Sequence, residues 1–130
     1  MKKIFKILIS IIILIAVIVA GGIFYLNNRL EAGSKIEMNG LVMSNINDGI
    51  YNGNYKSGRW SNELKVTVKN NKITDIKIID DVDFVQEGIA DELFKRVIEV
   101  QNTKVDSVSG ATVTSKAYLK SIENAFPNNN

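Results

Sequence analysis

The chain has 130 residues, 16 of them Lys or Arg and 14 Asp or Glu, with no His and no Cys. Lacking both, it cannot build a Ser-His-Asp or Cys-His unit, an ordinary zinc site or a cysteine-ligated iron–sulfur cluster, and a haem would lack its usual protein ligands. Chemistry must come from a bound organic cofactor or from carboxylates and hydroxyls alone. The length suits one modest domain plus a tail.

Lys2, Lys3 and Lys6 open the chain, and Ile7 to Leu26 carries no charge. About twenty such residues suffice to cross a hydrocarbon core as a helix. The lysines predict a cytoplasmic N-terminus, with residues 1–26 as basic start and transmembrane anchor and the remainder extracytoplasmic. The rival reading is a cleavable signal peptide, whose apolar region would be unusually long and which has no obvious small-x-small site near Val19-Ala20-Gly21-Gly22. Setting the three N-terminal lysines aside leaves 13 basic residues against 14 acidic ones. The exported part is close to neutral, and charge gives no argument for nucleic acid.

Residues 27–47 read as a polar juxtamembrane linker, with partial packing through Leu41, Val42 and Met43. A compact domain is expected over 48–126, followed by a disordered tail, 127–130, in which Pro127 stops the last helix. Ile50 to Lys56 suggests a first strand with Tyr51 and Tyr55 on one face. Leu64, Val66 and Val68 alternate with Lys65, Thr67 and Lys69, the pattern of a half-buried strand. Asn70-Asn71 tolerates positive φ and predicts a tight hairpin. The returning strand covers Ile73 to Ile79, with Ile76 and Ile78 toward the core.

Asp80, Asp81 and Asp83 form an acidic turn that lacks the spacing and glycine of a calcium loop, so no metal site is assigned. From Gly88 to Gln101 the period becomes helical: Ile89, Leu93, Val97 and Val100 share a stripe widened by Phe94 and Ile98. A last helix over Ser115 to Ala125 places Tyr118, Leu119, Ile122 and Phe126 at helical spacing. Strands followed by helices predict an α+β domain: a small antiparallel sheet with two helices, preceded by one N-terminal transmembrane helix.

Between the helices lies Asp106-Ser107-Val108-Ser109-Gly110-Ala111-Thr112-Val113-Thr114-Ser115. Gly110 lets the backbone turn and Ala111 keeps the surface small. Ser109, Thr112, Thr114 and Ser115 offer hydroxyls just where a helix presents amides without intrahelical acceptors. A phosphate would meet both, stabilised by the helix dipole. The plain alternative is that Thr114 or Ser115 is an N-cap and the other hydroxyls face water. Spacing alone leaves both open.

The order Asp-x-x-Ser-Gly-Ala-Thr at 106–112 resembles the recognition motif of the FMN-binding domain family. That family includes the flavin-carrying subunits of the sodium-pumping quinone reductase and of the Rnf complex. Asp48-Gly49-Ile50-Tyr51-Asn52-Gly53 resembles the family's domain opening, and Val66 to Ile76 its central hairpin, so the likeness covers about Asp48 to Phe126. The resemblance implies FMN as cofactor, joined by a flavin transferase through a phosphoester to Thr112. Asp106, Ser109, Gly110 and Ala111 are the matching motif positions, and Thr114 and Ser115 match the hydroxyls that usually follow. The segment Gln86-Glu87-Gly88-Ile89 lacks the proline that often precedes the family's glycine, and no ring contact is assigned there. Trp60, Tyr51 and Tyr55 could stack on a flavin or serve the core. The implied role is an electron-transfer carrier with no catalytic residues of its own. Its partners would be the flavin transferase, a membrane redox donor and an extracytoplasmic acceptor. The alternatives are a non-covalent FMN-binding or sensing module and a flavin-free anchored interaction domain.

Overall fold

A computed structural model of the chain describes residues 1–128; of the expected tail, Asn129 and Asn130 lie outside the described residues. The uncharged N-terminal run forms helix α1 (Lys2–Asn27), none of whose residues is buried. At 1.5 Å per residue its 26 residues span about 39 Å, and it is long and apolar enough to cross a membrane. Arg29 turns the chain with φ 64° into a one-turn helix α2 (Leu30–Ser34).

Three strands form one antiparallel sheet in the order β1 (Gly49–Tyr55), β2 (Asn62–Lys69), β3 (Lys72–Asp80). Asn70 and Asn71 both take positive φ, 53° and 58°, as a two-residue hairpin with the right-handed twist requires. The Asp48 carboxylate accepts from the Asn71 N–H at 3.1 Å, and the Asn70 and Asn71 turn amides hold its pKa below the usual carboxylate range. Leu64, Val66 and Val68 are buried as their alternation predicts. On β3 the buried set is Ile73 and Ile76, with Ile78 partly buried. A register shift between Thr67 and Val68 explains why Ile73 joins this face: pairing runs Val66–Ile76 and then Val68–Ile73, so one extra β3 residue is absorbed.

Helices α3 (Ile89–Val100) and α4 (Thr112–Asn124) cover the sheet. Leu93, Phe94 and Val97 of α3 are buried, whereas Val100 is exposed. Val100 lies to one side of the stripe centred on Val97 and falls in the last turn, beyond the surface the helix covers. α4 buries Ala117, Tyr118, Leu119 and Ile122, and its spine approaches β1 closely enough that Gly53 has no room for a side chain.

The segment 27–47 packs on the domain. Gly33 meets Val113, the Gly40 N–H donates to Glu123, and Leu41 and Ile46 are buried. Asn102 both accepts from the Leu41 N–H and donates to its carbonyl.

Candidate functional site

The loop from Asp106 to Ala111 is held from two sides. Arg96 of α3, itself paired with Glu92 one turn back, donates to the carbonyls of Asp106 at 2.9 Å and Ser107 at 3.3 Å. Val108 plugs the core, and its N–H donates to Ser115 Oγ at 3.0 Å. Gly110 then adopts φ 78°, and the Ala111 N–H closes a turn on the Val108 carbonyl at 3.0 Å. Among the described residues, no atom beyond the glycine and its two chain neighbours lies within 4 Å of where a Gly110 Cβ would stand, so the backbone angle, not crowding, calls for glycine.

The following helix begins three residues earlier than its apolar spacing suggested. Ala111 is the N-cap and supplies no side-chain cap. The first backbone bond of the helix is Ser115 N–H to Ala111 C=O at 2.8 Å. The amides of Thr112, Val113 and Thr114 are therefore left without a helical acceptor. Thr114 and Ser115, the capping candidates, sit inside the first turn, and Ser115 spends its hydroxyl on Val108.

This uncapped start forms one wall of a cleft of about 570 Å³, within the range of cofactor sites. Gly110, Ala111, Thr112, Val113 and Thr114 line it. Thr112 is exposed and Thr114 buried. Asp106, Ser109 and Ser115 are not on the wall: Asp106 and Ser109 are exposed on the loop, and Ser115 is fully buried behind it. The structure thus brings together Gly110, Ala111, Thr112 and Thr114 out of the motif.

The opposite wall comes from segments far away in sequence: Arg59 and Trp60 in the turn between β1 and β2, and Val82, Phe84 and Gln86 after β3, with Leu30 of α2 at the side. Gly58, at φ 55°, opens that turn, and Ser61 Oγ ties it by donating to the Gly58 carbonyl. The Asp83 N–H donates to the Arg59 carbonyl at 2.9 Å, joining the two far segments. Trp60 is buried, and the Arg59 guanidinium lies 4.1 Å from its ring centre and 5.4 Å from that of Phe84. Arg59 Nε is buried and has no hydrogen-bond partner among the described residues. Tyr51 packs on Phe126, 4.9 Å between ring centres, and neither it nor Tyr55 lines the cleft.

Behind the cleft, Tyr118 donates to Asp81 Oδ1 at 2.5 Å and meets the edge of Phe94. Burial first, and then the neighbouring Asp81 carboxylate, push the Tyr118 phenol pKa well above its ordinary value.

Chemically, the cleft offers an apolar and aromatic slot with a cation on one wall, and a bare helix start with hydroxyls on the other. An elongated ligand with a flat ring at one end and a phosphate at the other fits both. The orphaned Arg59 Nε and the unaccepted amides of α4 are the groups that such a ligand would satisfy. Arg59, Val82 and Phe84 escaped the sequence reading, because no motif or periodicity links them to residues 106–115; Gln86 lies in the segment compared with the family's glycine motif, where the sequence assigns no contact, and it lines the cleft. The profile of the FMN-binding domain family matches residues 58–126, just over half of the chain. No curated protein matches the chain at a significant level.

Proposed function

The chain belongs to the FMN-binding domain family, with FMN as its cofactor, and from that premise we propose that it is a membrane-anchored flavoprotein carrying FMN covalently on Thr112 and relaying electrons outside the cytoplasm. The observation that carries the covalent reading is the position of Thr112. It is the first residue of α4, exposed, on the cleft wall, with free amides beside it. An esterified phosphate keeps one negative charge, which the start of α4 stabilises. Asp106 and Ser109, exposed on the loop and off the cleft wall, suit recognition by a flavin transferase.

When bound, FMN supplies reversible electron uptake at its ring. The chain's own residues do the holding. Thr112 and the first α4 amides fix the phosphate end, Trp60, Val82 and Phe84 offer the ring an apolar wall, and Arg96 and Ser115 keep the loop in shape. A covalent bond suits a small exported domain, for which free FMN would be scarce and a dissociated cofactor lost. With α1 as anchor and its lysines on the cytoplasmic side, the domain exchanges electrons with a membrane donor and an extracytoplasmic acceptor.

The test is production of the full chain together with a flavin transferase, followed by denaturing electrophoresis. A fluorescent band that disappears in Thr112→Val is the expected result. Flavin that leaves the protein on denaturation overturns the covalent bond and favours a non-covalent module. A colourless native protein favours an anchored domain without flavin.

A further inference from the structure

One charged side chain in the cleft has no partner. Arg59 makes no ion pair among the described residues, and its buried Nε–H meets no acceptor. Leaving a buried donor unsatisfied costs free energy, so a group normally present at the site is expected to accept from it. The guanidinium is also well fixed. It lies over Trp60, with Phe84 alongside, and the Arg59 carbonyl receives the Asp83 N–H, so both its side chain and its backbone are held.

We infer that Arg59 receives the pyrimidine edge of the flavin ring and stabilises the negative charge that reduction places there. The inference rests on the flavin reading proposed above. Two oxygen-bearing parts of FMN could in principle approach a cation, the phosphate and the ring carbonyls. The phosphate already has donors of its own at the start of α4, where Thr112, Thr114 and three free amides gather. Arg59 instead stands among Trp60, Val82 and Phe84, the apolar wall against which a ring packs. Two electrons and one proton turn the neutral oxidised ring into an anion whose charge lies along the N1–C2=O edge. A fixed guanidinium there favours the reduced form over the oxidised one through a charge-assisted hydrogen bond.

The experiment compares the full-length wild type with Arg59→Met and Arg59→Lys, each produced with a flavin transferase. In-gel fluorescence reads flavin occupancy, and reduction by dithionite, which supplies the two electrons while solvent supplies the proton, reads the midpoint potential against a reference dye of known potential in the same cuvette. Arg59→Met keeps an unbranched side chain that can still lie against Trp60 but removes charge and donors. It is expected to weaken the preference for the reduced flavin about tenfold, a fall of about 30 mV for a two-electron couple. Arg59→Lys retains the charge and loses the Nε donor, so it falls by less. An unchanged potential in fully flavinylated Arg59→Met overturns the assignment and leaves the flavin reading intact. Loss of the fluorescent band with an unchanged potential in the remainder gives Arg59 to the phosphate end and equally overturns it. If the wild type shows no covalent flavin, FMN and riboflavin, which lacks the phosphate, are each titrated into the full chain in detergent. Tenfold weaker binding of both by Arg59→Met then supports the assignment, whereas equal binding, or a loss confined to FMN, overturns it; no binding of either by the wild type overturns the flavin reading and the assignment with it.

Discussion

Gly53 sits in the middle of β1 beneath α4, and replacing it by alanine tests how tightly the helix that carries Thr112 is seated. A Cβ at this position would stand 1.9 Å from the Ser121 carbonyl oxygen, 2.7 Å from the Ala125 nitrogen and 2.9 Å from the Ala125 Cβ. Two of these atoms are backbone, so no side-chain rotation relieves the clash. The helix must withdraw by about 1.1 Å to bring the first pair to 3.0 Å, the closest that real side chains come. A gap of 0.5–1 Å already forfeits roughly a quarter to a half of each dispersion contact. Tyr118, Leu119 and Ile122, all fully or nearly fully buried, share that loss. Overpacking alone costs about 1–3 kcal/mol, and rigid backbone puts this site at the upper end. The expected destabilisation is therefore about 2–4 kcal/mol. For a domain of this size, at roughly 4–8 °C per kcal/mol, the melting temperature falls by about 10 °C or more. Urea unfolding of the full chain in detergent, followed by the fluorescence of Trp60, reads the effect directly, with Asn52→Ala on the exposed face of the same strand as the control. A Gly53→Ala midpoint within error of that control would refute the close seating of α4 on β1.

Two further outcomes follow from buried polar groups. Glu123 is fully buried and accepts from the Gly40 N–H at 2.8 Å, Thr103 Oγ1 at 2.7 Å and Lys120 Nζ at 3.0 Å. Glu123→Ala orphans the first two donors and is expected to cost about 2–4 kcal/mol, and Glu123→Gln, which keeps an acceptor, clearly less; equal unfolding midpoints for the two variants would count against this network. Tyr118 has its folded pKa raised, so it contributes stability that is fully present below the ordinary tyrosine range and is lost as pH rises. Above about pH 10 the unfolded chain releases this proton while the native protein retains it, and stability falls. Tyr118→Phe should flatten that alkaline loss in melts taken across the range, and an unaltered slope would rule Tyr118 out as its source.

Local pattern made most of the fold legible. The alternation of Leu64, Val66 and Val68 gave β2, and the paired asparagines gave a turn whose two positive φ angles few other residues tolerate. What pattern did not reveal were the places where distant segments decide. Ile73 enters the core through a register shift that a strict two-residue period cannot register. Thr112, Val113 and Thr114 are two threonines around a valine, β-branched and weak helix formers, yet they form the first turn of α4. Packing explains the override: Val113 meets Gly33 so closely that a Cβ there would lie 2.6 Å from Val113 Cγ1, and Thr114 is buried. The candidate site was half legible for the same reason. Its motif wall is contiguous in sequence, whereas Arg59 and Phe84 reach the cleft through β1–β2 and β3–α3 connections that carry no signature of their own.

The packing of residues 27–47 bears on how such a carrier would work. Leu30, three residues beyond the end of α1, already lines the cleft, and three extended residues span at most about 11 Å. The Tyr25 hydroxyl donates to Asp83 Oδ2 at 2.5 Å, next to Phe84 on the cleft wall. Farther along, Lys116 donates to the Ser34 carbonyl at 2.5 Å, Glu123 holds Gly40, and Asn71 donates to the Ile46 carbonyl at 2.7 Å. Cross-links at this spacing leave little slack for a swinging arm between helix and domain. In the anchored reading proposed above, the cofactor is therefore held at a set, short distance from the membrane surface. A membrane donor would then meet it where it stands, and a soluble acceptor would have to come to the cleft. The carrier's partners would be selected by geometry at the end of α1 rather than by reach.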